Sequence, residues 1–367
     1  MRILYVITSL LTGGAEKLII DLVPKLNEQG CQVDVAVFNA QETPFMKMLE
    51  EKRVCKIHKL GQSFYDPRLI LRLRKIMKEY DIIHTHNSSP QLYAALANIG
   101  LHKHLVTTEH NTSNRKRGNF ILKRIDFWMY GKYESIISIS DKATANLNEY
   151  LGKDNNVKTI FNGVDVNSIY NAKPIQGMHN NRFVALMVAA FRPQKDQDTL
   201  IRAMKLLPED EYEVWFAGTG ERMDEVKKLV EELGAQKQVK FLGNRNDVPQ
   251  LLHTADVVVM STHYEGLSLS NIEGMSAGKP FVASDVDGIH EVTDGYGMLF
   301  KQGDEQALAD IIRQLHDDKS LYKNVADRCH ARAMQYDIST MVKGYKQVYD
   351  SIYPPQPSQR EGVLSEH

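Results

Sequence analysis

The sequence predicts an α/β protein built of two Rossmann-like domains facing each other across a cleft, and three observations lead there. Short apolar, β-branched runs alternate with helical patterns of about 10 to 15 residues nearly throughout, the pattern of strands covered on both faces by helices. The chain has 367 residues, beyond the roughly 250 to 300 at which a single hydrophobic core stops growing. Residues 171–181, "NAKPIQGMHNN", are polar, contain Pro174 and Gly177, and precede a fresh strand pattern, so the seam is placed there.

In chain order, the first half offers strands in "RILYVIT", "QVDVAVF", "DIIHTH", "HLVTTEH", "SIISIS" and "VKTIF". The second half offers "RFVALMVAA", "YEVWFAG", "QVKFLG", "DVVVMS", "PFVAS" and "GMLF". The expected domains are therefore residues 1–173 and 174–337, followed by a terminal helix over 338–353 and a disordered tail, "PPQPSQREGVLSEH", over 354–367. Parallel sheets bind ligands outside the carboxyl ends of their strands. That rule picks out Gly13 and Gly14, His84 and His86, residues 109–111 and 162–165, Arg192 and Lys195, Gly218 and Gly220, and Glu265.

Hydrophobic residues at 43% and charged residues at 25% exclude a disordered or fibrous chain. The opening "MRILYVITSLL" runs into Gly13, Gly14 and Glu16 without a small-residue cleavage site, so it reads as a buried first strand rather than a signal peptide. No run approaches the roughly 18 to 20 apolar residues of a membrane span. Cys31, Cys55 and Cys329 have no paired spacing and read as reduced thiols, which suits a cytoplasmic protein. The net charge of −1 divides unevenly: residues 1–173 carry 24 Lys and Arg against 17 Asp and Glu, net +7, leaving 21 against 29, net −8, for residues 174–367. A basic half suits an anionic partner, either a phosphate-bearing substrate or an acidic membrane surface. Its basic clusters are residues 72–75 and 115–117, the latter followed by Lys123 and Arg124 among Phe127, Trp128 and other apolar residues. Such interleaving fits peripheral association with an anionic membrane, and it equally fits a solvated helix beside an ordinary core stripe. Nothing in it indicates nucleic acid.

Several motifs have two readings at this stage. "TGGAEK" and "AGTGER" place Gly14 and Gly218 where backbone amides can meet a phosphate at a helix start, or where a tight turn merely needs glycine. Lys195 and Arg192 in "FRPQKD" can neutralise a diphosphate or simply be solvated. His86 and His110 follow different strands and can be catalytic or structural. Asp285 and Asp287 fit a polar turn better than a metal pair, and the histidine pairs lack further ligands, so no metal is expected. In "HYEGLSLSNIEG", Glu265 and Glu273 would lie roughly 12 Å apart along one helix, a poor catalytic pair. If residues 266–268 turn the chain into a helix start, both can touch one ligand. Ser270 with Glu273 also has capping-box spacing.

Together these residues resemble the retaining glycosyltransferases of family 4, with the GT-B architecture. The resemblance spans nearly the whole chain, through "GGAEK", "IIHTHN", "IFNGVD", "FRPQKD", "GTGER" and, most specifically, "FLGNRNDVPQLLHTADVVVMSTHYEGLSLSNIEGMSAGKPFVASDVDGIHEV" with its glutamate pair. It implies that Glu265 approaches the donor sugar, that amides of Gly266, Leu267 and Ser268 meet the sugar and diphosphate, and that Glu273 holds the ribose. Lys195 matches the diphosphate lysine. The place of the accompanying arginine holds Ala190, with Arg192 two residues on. Gly14 would admit the diphosphate, His86 would lie near the acceptor, Asn162 would also touch the donor, and the last helix would cross back onto the first domain. The implied reaction moves a sugar from a nucleotide diphosphate donor, a UDP-sugar, to a hydroxyl of a polysaccharide or lipid-linked acceptor. No cofactor is implied, the nucleotide sugar being a co-substrate. A nucleotide-sugar epimerase or phosphorylase, or a silent nucleotide-sugar binding protein, are the alternatives on the same scaffold.

Overall fold

The computed structural model of the chain describes residues 1–11, 13–110, 120–152, 156–265 and 269–354. Two compact units result, Met1–Asn162 with Ser339–His367, and Gly163–Ile338. The division precedes the polar stretch chosen from the sequence, because the short helix Val166–Tyr170 sends Val166 and Ile169 into the core of the second unit. The basic residues 115–117 and the tail from residue 355 lie outside the described residues.

The first unit holds the strands β1 (Arg2–Ile7), β2 (Gln32–Val37), β3 (Ile57–Lys59), β4 (Ile82–His86), β5 (His104–Glu109), β6 (Ser135–Ser138) and β7 (Val157–Thr159), all parallel, in the order β3-β2-β1-β4-β5-β6-β7. Beyond Arg2, every residue of β1 is buried. A strand with helices on both faces has no polar side, so it reads as a continuous apolar run. The sequence reading lacked β3, a three-residue edge strand with a half-exposed pattern and no apolar run to announce it.

In the second unit β8 (Phe183–Val188), β9 (Tyr212–Ala217), β10 (Val239–Gly243), β11 (Val257–Met260), β12 (Phe281–Ser284) and β13 (Met298–Phe300) pair in parallel in the order β10-β9-β8-β11-β12-β13. Each sheet grows outward from its first strand and then returns to the other side of it. The order therefore reverses between β1 and β4, and between β8 and β11. Loops leaving the two strands at such a reversal diverge and open a crevice at the carboxyl end.

The terminal helix Ile338–Ile352 packs with the first unit from Ser339 onward. It buries Met341, Val342, Tyr345, Val348 and Tyr349, one helical stripe. Gly344 permits the approach, since a Cβ there would stand 3.2 Å from Ile160 Cγ2. The two tyrosines enter a buried polar chain. Tyr349 Oη shares hydrogen bonds of 2.6 Å with Tyr5 Oη and with His84 Nδ1. His84 Nε2 then pairs with Thr108 Oγ1 at 2.8 Å, and Thr108 Oγ1 with Tyr345 Oη at 3.1 Å. His84 stacks on His86, centroids 4.6 Å apart, and His86 Nδ1 pairs with His110 Nε2 at 3.0 Å.

Burial holds His84 and His86 well below the usual imidazole range and pushes His110 down to about 4. The unfolded chain takes up these protons near pH 6.5 while the folded chain resists, so this stability is complete above about pH 6.5 and is lost as pH falls toward 4. For His110 alone the loss is on the order of 3 kcal/mol by pH 4. Urea unfolding followed between pH 7 and 4.5 is expected to show falling stability, with a shallower slope in His110→Gln; equal slopes would refute the assignment.

Candidate active site

At the reversal in the second unit, two loops are laced together by backbone and short side chains. Main-chain His263 N donates to Gln194 O at 2.8 Å, Gln194 Nε2 to Tyr264 O at 2.7 Å, and Ser261 Oγ to Asp196 O at 2.7 Å. Asp196, in the left-handed region at φ 49°, caps the helix Gln197–Lys205 by accepting from Thr199 N at 3.3 Å. The loop after β8 is thus fixed from both ends. Its Lys195 meets Glu265 from the loop after β11 in a close ion pair. Their side chains are only 17% and 11% exposed, so each charge depends on the other for compensation. Thr262 Oγ1 adds a hydrogen bond of 3.2 Å to Glu265 Oε1. Sequence reading named both residues but not their contact. Arg192 stands exposed at the head of the same loop.

On the β9 and β10 side of the crevice lies a cavity of about 280 Å³. Its floor is small and apolar, from Ala189, Ala190, Ala217 and Gly218, while Thr219, Asn244 and Arg245 supply polar edges and Val188 and Val248 an apolar flank. Thr219 Oγ1 donates to Asn244 Oδ1 at 3.0 Å, a bond that uses the Asn244 amide oxygen and not its two N–H donors. The Arg245 guanidinium is held by Asp247 through bonds of 2.8 and 2.6 Å. Gly218 has φ 144°, and a Cβ there would fall 2.0 Å from Ala189 O, so only glycine lets the loops after β8 and β9 close on each other. Small-molecule sites combine apolar walls with a few placed polar groups, and this cavity has both.

Ser270, inside the helix Leu269–Ser276, lines this cavity and an adjoining void that Glu273 also lines. Ser270 lies within the helix Leu269–Ser276 and is not its cap, which sets aside the capping-box reading. Gly266, Leu267 and Ser268 lie outside the described residues. Asp285 Oδ1 is engaged by His290 Nδ1 at 2.6 Å, and the described residues contain no group of three potential metal ligands.

Gly14, His86 and Asn162 belong to the first unit. Gly14 starts the helix Gly14–Glu28, and a Cβ there would meet nothing within 4 Å among the described residues. His86 is fully buried, and its Nε2 lacks a hydrogen-bond partner among the described residues. It therefore stands behind the part-exposed His110 rather than at the surface. Asn162 is buried, its Oδ1 likewise unpartnered among the described residues.

Thr219, Asn244, Arg245 and Val248 were missed as site residues. The signal available was position, since "TGE" and "NRND" leave the carboxyl ends of β9 and β10.

Two Rossmann-like sheets, one carrying a cation-carboxylate pair and a polar-edged cavity at its switch point, define a protein of the GT-B class. Solved structures agree in fold: Anabaena Alr3699/HepE, crystallised with UDP, matches with TM-score 0.81 at 24% identity over 96% of this chain and 100% of that one, and with UDP and glucose at TM-score 0.78 and 25% identity over the same shares. EpsD of Bacillus subtilis (strain 168) is 27% identical over 92% of this chain and 93% of its own length. The UDP-Gal:alpha-D-GlcNAc-diphosphoundecaprenol alpha-1,3-galactosyltransferase of Escherichia coli is 27% identical over 70% and 72%. The model for Glycosyltransferase Family 4 matches residues 12–168 and that for Glycosyl transferases group 1 residues 169–332, and the chain belongs to glycosyltransferase family 4.

Gly218→Ala is expected to destabilise the protein by about 1 to 3 kcal/mol, because it combines a disfavoured φ with a backbone collision. Denaturant unfolding checks it; a change under about 0.5 kcal/mol would mean that the two loops are not held this close.

Proposed function

We propose that this glycosyltransferase moves a sugar from a UDP-sugar to a hydroxyl of a polysaccharide or lipid-linked acceptor in surface glycan biosynthesis, with retention at the anomeric carbon. The observation that carries the reading is the Lys195–Glu265 pair beside the 280 Å³ slot at the switch point of the second sheet. The slot suits a pyrimidine base, with Asn244 offering donors to a base carbonyl. Glu273, next to it, would accept from the ribose hydroxyls. The HepE structure holding UDP and glucose supports this donor class, and the diphosphoundecaprenol in the name of the Escherichia coli relative supports a lipid-linked acceptor.

Cleaving the bond between the anomeric carbon and the diphosphate oxygen leaves positive charge on the sugar and negative charge on the leaving group. Lys195, Arg192 and the amides of Gly266, Leu267 and Ser268 would meet that negative charge, while Glu265 exchanges Lys195 for the sugar hydroxyls. The acceptor hydroxyl adds to the anomeric carbon from the leaving-group face, and its proton passes to the departing diphosphate oxygen. Gly14 and Asn162 would approach the donor, and His86 would act near the acceptor through His110. No cofactor takes part. Such an enzyme works at the cytoplasmic face of a membrane, peripherally bound where lipid-linked acceptors are presented. Among the described residues, no helix is long and apolar enough to cross a membrane.

A preorganised cation at developing charge contributes about 3 to 4 kcal/mol. Lys195→Ala should therefore lower kcat by about 10² to 10³, and Glu273→Ala should weaken UDP binding. If both variants turn over donor within about threefold of wild type, the site is misassigned. UDP at about 100 times its Kd should add about 2.7 kcal/mol of stability, with ADP adding much less; equal effects would overturn the pyrimidine assignment.

A further inference from the structure

Three loops of the second unit converge on one imidazole. His263 follows the carboxyl end of β11 and precedes Glu265 by two residues. Its main-chain N–H donates to Gln194 O, in the loop after β8, at 2.8 Å. Its ring Nδ1 pairs with Gln302 Nε2, in the loop after β13, at 2.7 Å. An amide nitrogen only donates, so Nδ1 is the acceptor and is unprotonated. Asp196 Oδ2 stands 3.7 Å from the same nitrogen, beyond hydrogen-bond reach, and already accepts from Thr199 Oγ1 at 2.7 Å. Gln302 is therefore the partner that holds the ring.

A tether positions its near end only if its far end is fixed. Gln302 stands two residues beyond Phe300, the last residue of β13, whose carbonyl accepts from Asp285 N at 2.8 Å. The turn that carries Gln302 closes through Asp304 N to Lys301 O at 2.9 Å, with Gly303 in the left-handed region at φ 75°. Asp304 Oδ1 then accepts from Ala307 N at 2.9 Å and caps the helix Glu305–Asp317. From the end of β12, Ser284 Oγ donates to Thr262 O, one residue before His263. The chain leading to Glu265 is thus held at Thr262 by β12 and at His263 by the turn after β13.

Resting on the donor reading above, we propose that His263, tethered by Gln302, is a positioning residue for Glu265. Without donor, Lys195 orients the Glu265 carboxylate. That orientation is lost when Glu265 exchanges Lys195 for the sugar hydroxyls. The His263–Gln302 bond then keeps the backbone that carries Glu265 in place. Neither His263 nor Gln302 lines the cavity or the void bordered by Glu273, so the tether serves the sugar end of the donor and not its nucleotide end. His263 is part-exposed and Gln302 exposed, and a neutral bond in water contact is worth about fivefold in rate.

UDP release from UDP-glucose, UDP-galactose and UDP-N-acetylglucosamine by the full chain identifies the fastest of the three, which serves as the kinetic probe, and calorimetry measures UDP binding. His263→Ala and Gln302→Ala should each lower kcat about fivefold while the Kd for UDP stays within about twofold of wild type. The double variant should be no slower than either single variant, because both substitutions remove one bond. His263→Asn should restore most of the rate, since the asparagine oxygen replaces Nδ1 as acceptor. The stoichiometry of UDP binding counts the folded molecules, which separates lost positioning from lost protein. An unchanged kcat in Gln302→Ala, effects that multiply in the double variant, or UDP affinity that falls in step with kcat would overturn the tether and leave the donor reading intact. A wild-type chain that binds no UDP, or releases none from the three donors, would overturn the donor reading and the tether with it.

Discussion

Between β8 and β11 the sheet of the second unit changes direction of growth, and the two loops that leave these strands cannot follow one another. Left alone, diverging loops would be mobile and their charged residues solvated. Here they are joined by main-chain and short side-chain bonds, His263 to Gln194, Gln194 to Tyr264, Ser261 to Asp196. That lacing has two effects. It confines Lys195 and Glu265 to one place, and it fixes the loop that leads from Ala190, on the cavity wall, to Lys195. Because both partners are largely withdrawn from water, removing one leaves the other uncompensated at considerable cost, whereas a ligand carrying both a hydroxyl-rich and an anionic part can replace both contacts at once. A pair that mutual attraction already orients spends less of a ligand's binding energy on ordering side chains.

The first unit solves a different problem. Its β4 strand places two histidines two residues apart, so both rings emerge on the same face of the sheet. Polar rings in a core must find partners, and from β5 and the residue that follows it Thr108 meets His84 and His110 meets His86. The missing hydroxyls arrive from a helix more than 250 residues later in the chain. Tyr345 and Tyr349 are four residues apart, one above the other on that helix, so both reach the chain centred on His84. The first unit is therefore incomplete until the last helix has been added, and truncation before it would leave buried polar groups without partners.

The extent to which this was legible in the amino-acid sequence follows from the same physics. Strands covered on both faces are mostly apolar, so β1 or β8 announces itself, whereas β3 at an edge pairs on one side and carries no such requirement. The sheet rule then locates strand ends, and with it Lys195, Glu265 and Gly218. Burial is less accessible. His86 reads correctly as a strand-end residue, but its withdrawal behind His110 depends on a tertiary partner that no local pattern reveals. The cavity wall is similar: Thr219 and Asn244 gain meaning only through their mutual bond across two loops, which the left-handed turn at Gly243 helps to bring together. A polar residue in a loop has no period to betray it.

The two glutamates of "HYEGLSLSNIEG" show how a spacing can be right and its first interpretation wrong. Eight positions suit neither an acid and base flanking one bond nor a helix cap, since Ser270 lies within the helix Leu269–Ser276. They do suit a ligand of two chemical parts. Glu265 is held at the crevice by Lys195 and Thr262, whereas Glu273 borders the void that adjoins the cavity through Val188, Val248 and Ser270. One carboxylate is therefore tied to the charged end of the crevice and the other to its apolar end. A ligand whose phosphates separate a hydroxyl-rich ring from a flat base has that same polarity along its length.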